Sequence, residues 1–412
     1  MFNGRSRILL ALVVLVTLSM VLGACGGGDE AATEEPIKVE EPIKVGAIFD
    51  LTGATGDVGT PYGEGVKGYV EWLNGNGGVN GREIDLISQD YAYDVAQAEQ
   101  LYSQFVTQDN VKMFIGWGTG DTEALRSRIA QDEIPFSSGS YSANLAEIEA
   151  APYNFLVGTT YSDQAVIAMR WAMQDWEDKG GEGDMKVAVL HHDSPFGESP
   201  VDSWGLDATE FAEENGIGLK AIAMPGGAVD LTAQLSQVKS FGAQYIIIQN
   251  VSSPAALLAK DAQRLGMTDV QIIGLNWAAD ENVIELAGDA AEGMVGAIPF
   301  APVSVDASGF GDPAAFLESK GSSLEEKGLH YTQGWWTMAI MTEGLRITLD
   351  EGKELTGPNI RASLESIEGF STGEVTAPIS FSAEDHRGTR SIKLYQVQDG
   401  KWAAMSDTIS AE

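Results

Sequence analysis

Residues 44–87 read KVGAIFDLTGATGDVGTPYGEGVKGYVEWLNGNGGVNGREIDLI, and this stretch decides the fold. The apolar run from Val45 to Phe49 predicts a buried strand. After a glycine-rich segment, apolar residues recur at helical spacing up to Asn74-Gly75, where the helix is expected to end. Ile84 to Ile87 predicts a second strand. A strand, a helix and a strand in this order indicate a parallel sheet covered by helices.

The same alternation continues through the rest of the chain. Further strands are predicted at Val111–Ile115, Lys186–Leu190, Tyr245–Ile248 and Val270–Gly274, and further helices at Ala98–Phe105, Ala124–Ile129 and Ala255–Leu265. The acidic, glycine-rich stretch from Asp178 to Asp184 separates two such series, and a last strand from Ser391 is expected to return to one of them. We therefore predict an α/β fold of two Rossmann-like lobes with parallel sheets.

The N-terminus has the pattern of a processed export signal. Two arginines precede an apolar run from Ile8 to Leu22, which is shorter than the roughly 20 residues of a membrane span. Small residues then lead to Cys25, the single cysteine of the chain. Leu22-Gly23-Ala24-Cys25 resembles the lipobox of bacterial lipoproteins, in which the cysteine carries the lipid. We expect a signal peptide at 1–24 and lipid attachment at Cys25; an incidental thiol after a signal peptide is the alternative.

The chain is strongly acidic from its N-terminal tether onward. Residues 25–42 are rich in glycine, proline and acidic residues, and they predict a flexible tether. Removal of residues 1–24 takes away two of the 25 basic residues and none of the 60 acidic ones, which leaves a net charge of about −37. A chain this acidic repels nucleic acid and anionic lipid. We expect no nucleic-acid partner, and contact with the membrane only through the N-terminal lipid.

Three glycine- or serine-rich turns are candidates for a binding site: Asp50–Gly65, Gly116–Gly120 and Ser137–Ser142. In open parallel sheets, ligands bind at the carboxyl ends of the strands, and helix N-termini hold carboxylates with their unpaired N–H groups. Serine hydroxyls add hydrogen bonds, and aromatic rings enclose an apolar side chain. An ordinary tight turn is the alternative for each segment taken alone. The candidate ligand contacts in the last two turns are Trp117, Gly118, Thr119, Gly120, Ser140, Tyr141 and Ser142.

The chain offers little for catalysis. Its four histidines are His191, His192, His330 and His386, and none has the spacing of a metal site. The sequence contains neither a G-x-S-x-G segment nor a phosphate-binding P-loop. The glycine turns do not continue as G-x-G-x-x-G with a ribose-binding acid. We expect a binding protein with no catalytic residues, no metal and no cofactor.

Five short motifs point to one known family. They are Leu51-Thr52-Gly53, Asn76-Gly77-Gly78-Val79-Asn80-Gly81-Arg82, Asp193 with Phe196-Gly197, Gly288-Asp289-Ala290-Ala291-Glu292-Gly293, and Tyr331-Thr332-Gln333-Gly334-Trp335. With them, the whole chain after the tether resembles the leucine-isoleucine-valine-type binding proteins of bacterial ABC transporters, which have the type I periplasmic-binding fold. The resemblance implies two lobes that close over a ligand about a three-strand hinge. It implies lobe 1 at 43–157 and 300–390, and lobe 2 at 158–299 and 391–412.

The resemblance also implies which residues hold the ligand. Gly120, Ser140 and Ser142 match the turns that bind a carboxylate in the family's amino-acid binders. The candidates in lobe 2 are Tyr161, Phe196, Val251, Asn276 and Trp277. Gly120 offers only its N–H where the family has a hydroxyl, and Asn276 is neutral where relatives have an acid for the ligand's ammonium. Asp121 is either a helix-start acid facing solvent or a contact for a cationic group. The resemblance as a whole implies that the ligand is an amino acid or a related carboxylate or amide.

These inferences predict an extracytoplasmic solute-binding protein of an ABC importer. Its lipid is expected to anchor it to the outside of the cell membrane, at the cell surface or in the periplasm. It is expected to act as a monomer that passes its ligand to the membrane permease subunits. Two other functions fit the same fold, a ligand-sensing receptor component and, more distantly, a nicotinamide-dependent enzyme. A neighbouring receptor or kinase gene would indicate the sensor, and nucleotide binding would indicate the enzyme.

Overall fold

The structure is a computed structural model and describes residues 41–411. The predicted signal peptide, the lipid attachment at Cys25 and all but the end of the predicted tether lie outside the described residues.

The first sheet is entirely parallel. Its strands are β1 (Ile43–Phe49), β2 (Ile84–Asp90), β3 (Met113–Gly116) and β4 (Phe136–Ser138). They lie in the order β2-β1-β3-β4, so β1 is a central strand. Every residue of β1 except Lys44 is buried, because helices cover both faces of the sheet. The continuous apolar run that predicted this strand therefore reflects burial on both sides.

The second sheet is mixed. Its strands are β5 (Lys186–His192), β6 (Gly218–Met224), β7 (Tyr245–Gln249), β8 (Gln271–Leu275), β9 (Val295–Ile298), β10 (Ser391–Gln398), β11 (Lys401–Ala404) and β12 (Ile409–Ser410). Strands β5 to β9 are parallel, in the order β9-β8-β7-β5-β6. The C-terminal strand β10 returns to this sheet and pairs antiparallel with β9, β11 and β12.

Helices pack around both sheets. They are α1 (Gly56–Gly75), α2 (Val95–Gln104), α3 (Thr119–Asp132), α4 (Tyr161–Asp178), α5 (Pro195–Glu198), α6 (Ala208–Glu214), α7 (Thr232–Phe241), α8 (Ser252–Arg264), α9 (Glu281–Ala287), α10 (Gly311–Ser319), α11 (Leu324–Asp350, with a break at Gly328) and α12 (Gly357–Leu364). None of the helices between residues 41 and 411 is both long enough and apolar enough to cross a membrane.

The two sheets with their helices form two lobes. Helices α1 to α3 and α10 to α12 accompany the first sheet, and α4 to α9 accompany the second. The chain passes between the lobes three times, from β4 to α4, from β9 to α10 and from α12 to β10. The predicted fold class, two Rossmann-like α/β lobes joined by three connections, is confirmed.

Two helices begin earlier than the sequence indicated. The prediction of a glycine turn from Asp50 to Gly65 is wrong over its second part, because α1 already begins at Gly56. The glycines inside α1 are sites of close packing: a Cβ on Gly63 would lie 3.0 Å from the ring of Phe49. Helix α3 begins at Thr119 and not at Ala124, so its first turn directly follows the end of β3.

The backbones of α1 and α11 touch through two glycines. A Cβ on Gly65 would lie 1.9 Å from the carbonyl oxygen of Tyr331. A Cβ on Gly334 would likewise lie 2.0 Å from the carbonyl oxygen of Tyr62. The neighbouring atoms are backbone and not flexible side chains, so neither contact can relax without moving a helix. Glycine is therefore required at both positions by packing.

We expect Gly65→Ala to lower the free energy of unfolding by about 3 kcal/mol, because the added methyl group forces α1 and α11 apart. Gly75→Ala, at the end of the same helix, is the matched control, since no atom lies within 4 Å of the added Cβ. Urea unfolding of both variants measures the difference. Equal stability of the two variants would contradict the close approach of the helices.

Candidate functional site

A small cavity lies between the two lobes at the carboxyl ends of their strands. Its walls come from the segments after β1, β2, β3 and β4 in one lobe and from α4 and the segments after β5, β7 and β8 in the other. The lining residues are Thr55, Tyr93, Trp117, Gly118, Thr119, Gly139, Tyr161, Phe196, Val251 and Trp277. The free space is about 20 Å³, which corresponds to about one water molecule. A solute as large as an amino acid therefore enters only when the lobes part.

Most of the predicted contact residues line this cavity. Those that do are Trp117, Gly118, Thr119, Tyr161, Phe196, Val251 and Trp277. The others lie close by but outside the lining, and they are Gly120, Ser140, Tyr141, Ser142 and Asn276. Their role in ligand binding stays a prediction.

The serine residues of the turn after β4 bond mainly within lobe 1. The hydroxyl of Ser140 lies 2.7 Å from that of Thr119, which lines the cavity. The hydroxyl of Ser142 instead donates to a carboxylate oxygen of Glu123 at 2.7 Å. Of these two serines, Ser140 is therefore the one coupled to the cavity wall.

The remaining predicted residues outside the lining are in contact with residues that do not line the cavity. The hydroxyl of Tyr141 accepts a hydrogen bond from the amide of Gln333 at 2.7 Å. The backbone N–H of Asn276 donates to Gln164 Oε1 at 3.0 Å. The side-chain oxygen and nitrogen of Asn276 are buried and have no hydrogen-bond partner within residues 41–411. A Cβ on Gly120 would lie 3.9 Å from Pro195 of the other lobe and 3.9 Å from Val95 of its own.

The turn after β1 fixes the orientation of Trp117. The buried carboxylate of Asp50 accepts hydrogen bonds from the N–H of Gly53 and from the N–H and hydroxyl of Thr55. The hydroxyl oxygen of Thr55 in turn accepts the indole N–H of Trp117 at 2.8 Å. Because these hydrogen bonds link Asp50, Thr55 and Trp117 in series, the indole ring of Trp117 is held in one position against the cavity.

Trp277 brings lobe 2 into contact with the rings of lobe 1. Its ring centroid lies 4.7 Å from that of Trp117, at an interplanar angle of 66°. It lies 6.3 Å from Tyr141 in a nearly parallel arrangement and 4.7 Å from His330. The indole is 2% exposed, and its N–H approaches Gly139 O at 3.1 Å. This one side chain thus makes the largest set of ring contacts across the cleft.

Further hydrogen bonds join the lobes around the cavity. The hydroxyl of Tyr161 lies 3.2 Å from Gly139 O and also accepts the indole N–H of Trp277 at 2.9 Å. At one rim, the N–H and hydroxyl of Ser253 both donate to the carboxylate of Asp57. The lobes are therefore held together by polar contacts as well as by aromatic rings.

A buried carboxylate lies directly behind the cavity wall. Asp121, in the first turn of α3, is 2% exposed, and its Oδ1 accepts the hydroxyl of Tyr91 at 2.8 Å. Its Oδ2 is buried and has no hydrogen-bond partner in the described part of the chain. Burial raises the pKa of Asp121 to about 7. Of the two alternatives for this residue, a solvent-facing acid is wrong.

A second titratable pair crosses the interface beside Trp277. His330, on α11, lies 3.2 Å from Asp280, which precedes α9, and both side chains are buried. The other ring nitrogen of His330 lies 2.9 Å from Gln333 Oε1, and Ser252 donates to Asp280 at 2.7 Å. Burial lowers the pKa of His330, but the carboxylate of Asp280, 3.2 Å from the ring nitrogen, outweighs it, so the pKa is raised above its ordinary value.

Three lining residues were not found from the sequence. Thr55, Tyr93 and Gly139 follow β1, β2 and β4, at the same sheet edge as the predicted contacts. Thr55 and Gly139 lie within the turns that the sequence singled out, so the strand-end rule contained the signal for them. Tyr93 follows β2, where no glycine or serine cluster drew attention to the segment.

The histidines and the acidic residues that the structure describes do not assemble into a metal centre. Within residues 41–411, no group of three or more His, Cys, Asp or Glu side chains is positioned to hold a metal ion. His192 lies 6.0 Å, ring to ring, from Phe196 of the cavity. Burial lowers the pKa of His192, which favours the neutral ring.

Comparison with known proteins assigns the chain to a family of binding proteins. The profile of the family described as "Periplasmic binding protein" matches residues 42–401. A leucine-, isoleucine-, valine-, threonine- and alanine-binding protein of Pseudomonas aeruginosa is 26% identical over 262 residues, which is 63% of this chain and 67% of that protein. A Leu/Ile/Val-binding protein homolog of Brucella abortus is 25% identical over 61% of this chain and 66% of its own length. The aligned region thus spans about two thirds of these relatives.

Solved structures align over more of the chain. A branched-chain amino acid ABC transporter protein from Thermus thermophilus, with bound valine, superposes with a TM-score of 0.82 and 26% identity, covering 90% of this chain and 97% of that one. An ABC transporter substrate-binding protein from Aeropyrum pernix superposes with a TM-score of 0.80 at the same identity and coverage. These similarities extend over both lobes.

Proposed function

Because the chain belongs to the periplasmic binding protein family, we propose that it is the solute-binding protein of an ABC importer and captures an amino acid or a related small carboxylate or amide between its lobes. The observation that carries this proposal is the position of the cavity, which both lobes line at the carboxyl ends of their strands. Relatives that bind branched-chain amino acids support the ligand class.

The proposed mechanism is closure about the three connections. Residues 43–157 with 300–390 move as one body, and residues 158–299 with 391–412 move as the other. Ligand contacts from both bodies shift the equilibrium toward the closed form, by as much as the ligand prefers that form. For a micromolar ligand, the net binding free energy is about 8 kcal/mol. The membrane permease subunits then recognise the closed form.

We also propose that the twelve predicted contact residues bind the ligand. The first turn of α3 points N–H groups from Thr119 and Gly120 toward a ligand carboxylate, since the first N–H groups of a helix have no partner within it. The aromatic rings of the lining enclose the rest of the ligand. The protein is expected to bind its solute as a monomer without converting it.

Two measurements on the purified protein test the proposed function. Mass spectrometry of the denatured protein is expected to detect a co-purifying small solute. After that solute is removed by dialysis in denaturant and refolding, one class among amino acids, amides and aromatic acids is expected to raise the melting temperature. If neither a co-purifying solute nor any thermal shift is found, the proposed function is wrong.

We also propose that the protein is exported and anchored by lipid at Cys25, outside the cytoplasmic membrane. The support is the sequence from Leu22 to Cys25 and the extracytoplasmic work of the family. We expect Cys25→Ala to move the protein from the membrane fraction into the soluble fraction of cells, because the substitution removes the residue that carries the lipid. Fractionation of cells that express either form measures this, and an unchanged distribution would contradict the anchor.

A further inference from the structure

The walls of the cavity are aromatic and uncharged. Five lining residues carry aromatic rings and form what we call the aromatic cage: Tyr93, Trp117, Tyr161, Phe196 and Trp277. Among the lining residues within the described part of the chain, none carries a charged side chain. The face of an aromatic ring is electronegative, so the ring faces of this cage attract a cationic group and disfavour an anionic one.

Two pairs of rings in the cage meet edge to face and are not stacked in parallel. Trp117 and Trp277 meet at 66° with centroids 4.7 Å apart. Tyr161 and Phe196 meet at 71° with centroids 5.5 Å apart. Trp117 and Trp277 belong to different lobes, so their edge-to-face contact separates and frees a ring face when the lobes part to admit a ligand. A compact, nearly spherical head group can therefore contact more than one face at once when the lobes close around it.

Two buried carboxyl groups lie behind the cage, and Asp121, whose pKa burial raises to about 7, adds negative charge once the pH exceeds this value. Asp50 is fully buried beneath Thr55, and Asp121 lies against Gly118, where a Cβ would meet Asp121 Oδ1 at 2.2 Å. Oδ2 of Asp121 has no hydrogen-bond partner among residues 41–411. In the same range, neither carboxylate forms an ion pair with lysine or arginine. The electrostatic field at the cavity therefore favours a positive charge in the ligand.

The cavity offers few free acceptors for a primary ammonium group. Such a group has three N–H donors, and each needs an acceptor when it is buried. Gly139 O and the hydroxyl of Tyr161 already lie within hydrogen-bond distance of the indole N–H of Trp277. The hydroxyls of Thr119 and Ser140 are bonded to each other. A nitrogen with four carbon substituents has no N–H group and needs none of these acceptors.

Resting on the proposed solute-binding function, we infer that the ligand carries a quaternary ammonium group, held by the aromatic cage with Asp121 and Asp50 behind it. This is the head group of fully N-methylated amino acids and of choline-like alcohols. The two sources share the trimethylammonium group and differ in the carboxylate, so binding experiments can separate them.

The test uses pairs of ligands that differ only in the charge. Glycine betaine is compared with 3,3-dimethylbutanoate, and choline with 3,3-dimethylbutan-1-ol, by isothermal titration calorimetry on the protein freed of co-purifying solute. In at least one pair, we expect the compound with the trimethylammonium group to bind about tenfold more tightly than its counterpart, in which a carbon replaces the nitrogen. Preference for betaine identifies the N-methylated amino acid, and preference for choline identifies the alcohol.

The outcomes separate this inference from the proposed function. If valine or leucine binds and neither quaternary ammonium compound does, solute binding stands and the inference is overturned. Binding of each carbon counterpart as tightly as its cation also overturns it. If no amino acid, amide, aromatic acid or quaternary compound binds, the proposed function fails as well.

Asp121→Asn tests the part played by buried charge when binding is measured at pH 8.5, because Asp121, with a pKa raised to about 7, is then ionised and the substitution removes its negative charge at nearly constant shape. We expect the affinity for the cation to fall about threefold to tenfold, while that for the carbon counterpart stays unchanged. Tyr93→Leu, which removes one ring of the aromatic cage, is expected to act in the same direction. The carbon counterpart reports whether each variant is folded. Equal losses for both members of a ligand pair in both variants would overturn the inference.

Discussion

Trp277→Ala is expected to lower the free energy of unfolding by about 3–5 kcal/mol, the range for truncating a buried tryptophan. The indole is 2% exposed and contacts Trp117, Tyr141 and His330 in the opposite lobe. The hydroxyl of Tyr161 and the carbonyl oxygen of Gly139 also lose the indole N–H that they accept. The same substitution is expected to weaken solute binding, because the removed contacts join the lobes in the closed form.

Trp204→Ala is the matched control for this prediction. Trp204 belongs to the same lobe but is 43% exposed, so its truncation is expected to change the free energy of unfolding by only about 0.5 kcal/mol. Trp277→Phe keeps an aromatic ring and loses the indole N–H, and we expect an intermediate loss. Urea unfolding at fixed pH measures all three. If Trp277→Ala is as stable as Trp204→Ala, the indole does not hold the lobes together.

His330→Asn is expected to destabilise the protein by about 3–5 kcal/mol at pH 6, because it leaves the buried carboxylate of Asp280 without its charged partner. The side chain of Asp280 still accepts from Ser252 and from the N–H of Val283. These two bonds preserve the start of α9 and leave the charge as the main loss. The double variant His330→Asn with Asp280→Asn removes both charges and is expected to recover most of the stability.

The same pair gives stability a defined dependence on pH. The pKa of His330 is raised in the folded protein above its ordinary value, so protonation favours the folded form. Its contribution is complete below the unfolded pKa of about 6.5 and is lost as pH rises through the higher folded value. Burial also raises the pKa of Glu281, whose two oxygens accept the N–H groups of Val303 and Leu329. Its ionisation acts in the same direction.

We therefore expect the urea concentration at the unfolding midpoint of the wild type to decrease as the pH is raised from 6 to 9. The decrease is expected to be smaller for His330→Asn. The part of the change that remains in the variant belongs to other groups, among them Asp121, whose pKa burial raises to about 7. An identical pH profile for the two proteins would show that His330 does not titrate against Asp280.

The sequence predicted the strands well because their burial leaves a direct pattern. Val45 to Phe49 is buried on both faces of the sheet and is accordingly apolar without interruption. The start of α1 was missed because glycine usually marks turns, whereas Gly59, Gly63 and Gly65 here serve close packing inside a helix. For Gly65 that distinction depends on the backbone of α11, which lies far away in sequence, and for Gly59 and Gly63 it depends on how α1 packs against the end of β1.

The cavity was only partly predictable for a similar reason. The glycine motif in the turn after β3 pointed to Trp117 and Thr119, because a glycine cluster is visible locally. Tyr93 has no such cluster, and only the parallel arrangement of β2 brings it to the same edge. The ion pair of His330 and Asp280 was missed because its partners come from different lobes. Contacts across a hinge have no counterpart in local spacing.

Energy transfer between dyes on the two lobes tests the central claim most directly. Residues 41–412 contain no cysteine, so a protein with Cys25→Ala, Gln104→Cys and Lys239→Cys carries one dye on α2 and one on α7, both at exposed positions. The distance between the dyes is measured before and after adding the solute that most raises the melting temperature. The account predicts a shorter distance that saturates with the binding isotherm, whereas an unchanged distance at saturating solute would contradict closure over a ligand between the lobes.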